Sequence, residues 1–196
     1  MTRRSWTLSF ALAAVCLAAV GGQDPKPRPR RPDAKALQRA RELSATAPQH
    51  DVLRRLGGSW KVALRTTGPD GEAREDRGAA VGRAMLGGRY VALDFELDLG
   101  GNEVLAHQIL GFDTLKGVYT ASWRDTMSTW SVDCWGAPGE QPFLLGMRGR
   151  IVDAMTPGGR PFRLELDLRD RAAVEVKIYE GAGQEEALVQ VQRWTK

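Results

Sequence analysis

The sequence predicts an all-β fold, an antiparallel up-and-down β-barrel of eight to ten strands with flanking helices on its N-terminal side. Three observations support this. From Ser59 onward apolar residues recur at every second position, the mark of strands with one buried and one wet face. Clusters of Gly, Pro, Asn and Asp separate these stretches, and the connections are too short for β-α-β crossovers. Sequential strands on such short loops pair with their neighbours, and closing the meander removes its exposed edges. A filled sandwich of the same strands is the alternative architecture.

Residues 1–22 read as an export signal. Arg3 and Arg4 precede an apolar run that ends at Val20, and Ala19 and Gly21 supply small residues for cleavage. The run is shorter than the ~20 residues that span a bilayer, so no transmembrane anchor is expected after cleavage. The expected location is the periplasm or the outside of a bacterium. Arg3-Arg4-Ser5-Trp6 also resembles a twin-arginine signal, so both export routes stay open.

Residues 23–33 form a Pro/Arg-rich linker. In DPKPRPRRP, proline fixes φ and removes donors, which predicts an extended, stiff spacer. Residues 34–56 read as two helices. Asp33 caps the first, over Ala34–Ala45, whose thin apolar content (Leu37, Leu43) suits a flank or lid. Pro48 opens the second, with Val52, Leu53 and Leu56 on one side and Gly57-Gly58 as its stop.

Residues 57–196 form the barrel domain. Ten strands are expected at 59–66, 77–86, 89–99, 103–112, 117–124, 129–135, 142–152, 161–169, 173–179 and 187–194. Trp60, Val62 and Leu64 alternate with Lys61, Ala63 and Arg65; Val91, Leu93, Phe95 and Leu97 alternate with Ala92, Asp94 and Glu96. Phe162, Leu164 and Leu166, then Val174, Val176 and Ile178, repeat the pattern. A barrel of this size is wide enough to hold one small ligand.

The formal charge of +4 conceals an uneven distribution, because residues 57–196 hold 17 basic and 20 acidic side chains. A mildly negative domain with a basic tail argues against a nucleic-acid partner. Cys16 lies within the signal, which leaves Cys134 as the one cysteine of the exported chain and excludes an internal disulfide. With only His50 and His107 beside it, a soft-metal cluster is under-supplied, and neither metal nor cofactor is expected. A monomer or weak dimer is expected.

The stretch PQHDVLRRLGGSWKV from Pro48, MLGGRY at 85–90, LGFD at 110–113, YTASWRD at 119–125 and the closing VQRWTK resemble the bacterial family of secreted proteins called domain of unknown function 1579. The resemblance covers roughly residues 48–196 and implies a calycin-like barrel without a known activity. The chain departs from the family pattern at Glu103–Gln108, where relatives are glycine-rich, and at Val191, where they carry a tyrosine before Arg193. Gly58-Ser59-Trp60 further resembles the Gly-x-Trp opening of lipocalins. That likeness implies that Trp60 plugs the closed end with a late arginine, here Arg193, packed over it by cation–π contact.

Six residues are candidates for binding a ligand. Arg89 shares the parity of Val91, Leu93 and Phe95, which points it inward or, at the start of its strand, to the rim, where it would hold a carboxylate-bearing ligand or pair with an acid. His107 lies on the face of Leu105 and Ile109 and would donate to a partner across the barrel or, as a weaker alternative, bind haem iron on one side. Tyr119, Trp123 and Asp125 share one strand face and Trp130 begins the next wall, a set that lines a cavity or simply fills a core. His50 is expected exposed on its helix, and Cys134 buried and unreactive.

No zinc-protease, Gly-x-Ser-x-Gly or phosphate-loop motif is present; Asp113, Asp125 and Asp133, in or near successive strands, are candidates for a carboxylate pair, although surface acids of a mildly negative barrel look the same. Three functions therefore stay open: a barrel that binds a small hydrophobic or amphipathic molecule, a filled structural or envelope-interaction module, and a hydrolase-like enzyme.

Overall fold

The structure is a computed structural model that describes residues 33–68, 70–154 and 156–196. The expected signal and, apart from Asp33, the expected linker lie outside the described residues. Two helices come first: α1 over Ala34–Ser44 and α2 over Pro48–Leu53, the latter running into a 3₁₀ turn at Arg54–Leu56. Ten strands follow: β1 Gly58–Thr67, β2 Ala73–Met85, β3 Tyr90–Leu99, β4 Asn102–Asp113, β5 Val118–Asp125, β6 Val132–Gly136, β7 Leu144–Ile151, β8 Arg160–Asp167, β9 Ala173–Glu180 and β10 Ala187–Thr195. Each pairs antiparallel with its sequence neighbours, and β1 pairs with β10, so the meander closes into a barrel. Among the described residues no helix is long and apolar enough to cross a membrane.

The alternation seen in the sequence becomes the inside and outside of the wall. Trp60, Val62 and Leu64 are buried while Lys61, Ala63 and Arg65 face out; Val91, Leu93, Phe95 and Leu97 are buried on β3. The stitching is uneven. β3 and β4 share ten registered pairs from Tyr90↔Gly111 to Leu99↔Asn102, whereas β6 meets β7 only at Cys134↔Gly149 and Trp135↔Arg148.

The two helices play different parts. α1 buries no residue and meets the barrel through its C-terminal end, where the Thr114 hydroxyl donates to the Leu43 carbonyl and Arg89 donates to the Ser44 carbonyl at 3.1 Å. A cation there also complements the negative end of the helix dipole. α2 and its 3₁₀ turn instead close one end of the barrel with buried His50, Val52, Leu53 and Leu56. The plug is pinned from three strand regions. Trp60 Nε1 donates to the Leu56 carbonyl at 2.9 Å, Arg55 donates to the Leu168 carbonyl at 2.8 Å, and Gly82 lets the Leu56 carbonyl approach to where a β-carbon would stand 1.9 Å away.

His50 is a correction to the sequence expectation, since it is 3% exposed rather than on the surface. Its Nδ1 accepts the Ala47 N–H at 2.8 Å, and its ring meets Phe112 edge-on at 5.9 Å.

Candidate ligand cavity

Above the plug the barrel narrows around aromatic side chains that reach across its centre. Trp60 meets Trp194 at 6.4 Å, Trp194 meets Phe95 at 5.4 Å, and Phe95 meets Trp123 at 5.1 Å between ring centroids. Beyond this floor, toward the end opposite the helices, lies a cavity of about 240 Å³. Its walls come from β3 to β10 and not from β1 or β2, and they include Phe95, Trp123, Phe162, Leu164, Val176 and Trp194. At the rim Val132, the first residue of β6, and Ile151, the last of β7, also line it. No charged residue is among those lining the cavity.

Three glutamines supply most of its polarity. Two of them, on β10, form a ladder: Trp194 Nε1 donates to Gln192 Oε1 at 3.0 Å, Gln192 Nε2 to Gln190 Oε1 at 2.8 Å, and Gln190 Nε2 to the Thr66 hydroxyl at 3.1 Å. Gln108 on β4 differs. It is 9% exposed, it lines the cavity, and among the described residues its carboxamide makes no hydrogen bond.

Of the expected site residues, the structure brings only Trp123 to the cavity wall. Its Nε1 donates to Asp125 Oδ2 at 2.7 Å, so Asp125 fixes the indole from the rim while also accepting the Met127 N–H at 2.9 Å. Tyr119 faces inward but at the helix end, 5.1 Å from the Phe112 ring, where burial raises its phenol above the ordinary value. Trp130 sits in the loop before β6, 43% exposed, and does not line the cavity.

Arg89 does not point inward. The 3₁₀ turn Leu86–Gly88, with φ of +49°, +70° and +81°, breaks the alternation just before β3 and leaves Arg89 exposed, where it holds α1. His107 lies on the outer face, its Nδ1 2.6 Å from Asp94 Oδ1, and Arg83 donates to the other oxygen of the same carboxylate. Leu105 and Ile109 share that outer face, so their apolar character misdirected the parity argument.

Trp60 does close the helix end, but Arg193 is not over it. Arg193 projects outward, 76% exposed and 3.6 Å from Glu175, because Trp194 takes the inward position; the Lys196 ammonium lies 4.9 Å from the Trp60 ring instead.

Cys134 is buried in the wall, and desolvation with the nearby Asp133 charge pushes its thiol up to about 12, which removes it as a nucleophile. Asp113 and Asp125 stand at opposite ends of β5, since Asp113 pairs with Val118 while Asp125 is the last residue of that strand. They cannot act as one carboxylate pair. Among the described residues there is no group of three or more His, Cys, Asp or Glu side chains that could hold a metal.

A family model described as "Protein of unknown function (DUF1579)" matches residues 45–194. The chain belongs to the DUF1579 family. No curated protein matches the sequence. Among solved structures, this DUF1579 barrel is similar to the crystal structure of Rv2717c from M. tuberculosis, with TM-score 0.55 and 10% identity over 78% of this chain and 99% of that one. It also matches a de novo designed fluorescence-activating β-barrel, with TM-score 0.42 and 14% identity over 74% of this chain and 97% of the designed one. At such identity the likeness to Rv2717c shows a shared barrel fold.

Proposed function

We propose that this DUF1579 protein is a binding protein for one small, uncharged, mainly apolar molecule, held within the barrel. The observation that carries this reading is a 240 Å³ cavity with apolar walls and an unpartnered carboxamide inside the barrel. Packed interiors rarely keep voids larger than a water molecule, and filling this one with side chains would stabilise the fold. For scale, a cavity of about 150 Å³ accepts benzene, so this one suits a substituted ring or a small bicycle.

A carboxylate-bearing ligand, which an inward Arg89 would have favoured, is disfavoured here because no cation faces the cavity to offset its desolvation. Export to the periplasm or the outside of the cell is part of this proposal, supported by the signal-like sequence of residues 1–22.

Two measurements test the reading together: native mass spectrometry of the exported protein from its own cell, and calorimetric titration with indole. A co-purified small molecule, or saturable binding of one indole per chain, is the expected result. A bare mass with no indole binding would return the protein to the structural-module reading.

A further inference from the structure

Among the described residues, no neighbouring side chain hydrogen-bonds the Gln108 carboxamide, which opens onto the cavity. Its interior neighbours across the sheet are Leu93 on β3 and Trp123 on β5, and along its own strand Ala106 and Leu110. The one donor among those side chains, the Trp123 indole N–H, is committed to Asp125 at the rim. The other interior glutamines are tied into the β10 ladder. The small side chains of Ala106 and Ala121 leave space beside the carboxamide, and Ala121 also lines the cavity. One unpartnered carboxamide with an acceptor and two donors therefore faces a space walled by the rings of Phe95, Trp123, Phe162 and Trp194.

We infer that Gln108 is the polar recognition residue of the cavity, and that its ligand is a flat, neutral aromatic molecule bearing an amide-like group whose adjacent acceptor and donor pair with the Gln108 carboxamide. This rests on the reading of the cavity as a ligand site. Two parallel hydrogen bonds satisfy one N–H and the carbonyl of Gln108, while the aromatic walls take the ring in offset or edge-on contacts. The absence of charge from the lining selects against the acid analogue of the same ligand.

The test titrates the full chain and Gln108→Leu with three probes of one shape: benzamide, its hydrocarbon counterpart α-methylstyrene, and benzoate. Benzamide and α-methylstyrene are both expected to bind the wild-type chain, and benzoate at least a hundredfold more weakly than benzamide. Gln108→Leu should weaken benzamide about tenfold and leave α-methylstyrene unchanged or tighter. Should Gln108→Leu fail to fold, Gln108→Met replaces it with an unbranched apolar chain. If the variant leaves benzamide untouched, or weakens both neutral probes equally, Gln108 is a packing residue and the inference fails while the ligand site stands. If benzoate matches benzamide, the neutral class is wrong. If no probe binds the wild-type chain, the underlying ligand-site reading fails as well.

Discussion

Filling the cavity from its own wall separates a binding protein from a barrel with an incidental void. Ala121 is 4% exposed, lines the cavity and sits in register between Leu110 and Cys134. Ala121→Leu adds three heavy atoms. At about 30 Å³ each, the liquid-water share, they occupy roughly 90 Å³, more than a third of the 240 Å³ present. Removing that much void is worth about 2 kcal/mol at ~24 cal/mol per Å³, and rotamer strain of about 1 kcal/mol offsets part of it. The net expectation is a gain of about 1 kcal/mol, which raises the melting temperature by about 2–4 °C. Indole should then bind at least tenfold more weakly, because the remaining space is only benzene-sized. Calorimetric melting and indole titration on the same preparation read both effects. A melting temperature lowered by several degrees would mean that the wall is already filled, and unchanged indole affinity would place the binding site elsewhere.

Gly82→Ala should destabilise the barrel by about 1–3 kcal/mol in urea unfolding, because the new β-carbon would meet the Leu56 carbonyl at 1.9 Å and push the plug outward. Gly146→Ala, with nothing within 4 Å of the added carbon, serves as its near-neutral control. With its thiol near 12, Cys134 is about one part in ten thousand thiolate at pH 8, so iodoacetamide should label it only upon unfolding; rapid labelling of the native protein would contradict the burial. Acid should destabilise through three carboxyls held below their ordinary values: Asp153 by the Thr156 hydroxyl, Asp167 by Arg169, and Glu186 by Arg163. Groups lowered in the folded state contribute stability that is fully present above the usual carboxylate range and lost as pH falls through the lowered values. Urea midpoints should therefore stay flat from pH 7 to about pH 5 and drop below about pH 4, with a shallower drop in Glu186→Gln.

The barrel was legible wherever alternation ran unbroken. Val91 to Leu97 and Phe162 to Leu166 announce their faces because each inward residue is apolar and most outward neighbours are charged. The reading failed where something local reset the count. The left-handed turn at Leu86–Gly88 detached Arg89 from the parity of β3. On β4 both faces carry large apolar residues, so Leu105 and Ile109 concealed that the inward series is Val104, Ala106, Gln108 and Leu110. That series was the available signal for Gln108, a polar residue in step with buried ones. The register shift between Leu188 and Gln190 hid Gln190 in the same way, although Gln192 and Trp194 share one face. His50 was misplaced because three apolar residues were too few to reveal that a single turn of helix serves as a stopper rather than a surface element.

The join between β6 and β7 holds two registered pairs, the fewest between any neighbouring strands of this wall. Continued beyond Cys134↔Gly149, the register would bring Asp133 to Arg150 and Val132 to Ile151, yet neither pair forms, while the far edges of the two strands hold five and eight registered pairs. Local opening follows the fewest bonds. Parting this slit needs no movement of the stopper at the other end. Opening at this join and whole-chain unfolding thus become separate rates, and the wall can part here while the base of the barrel stays shut.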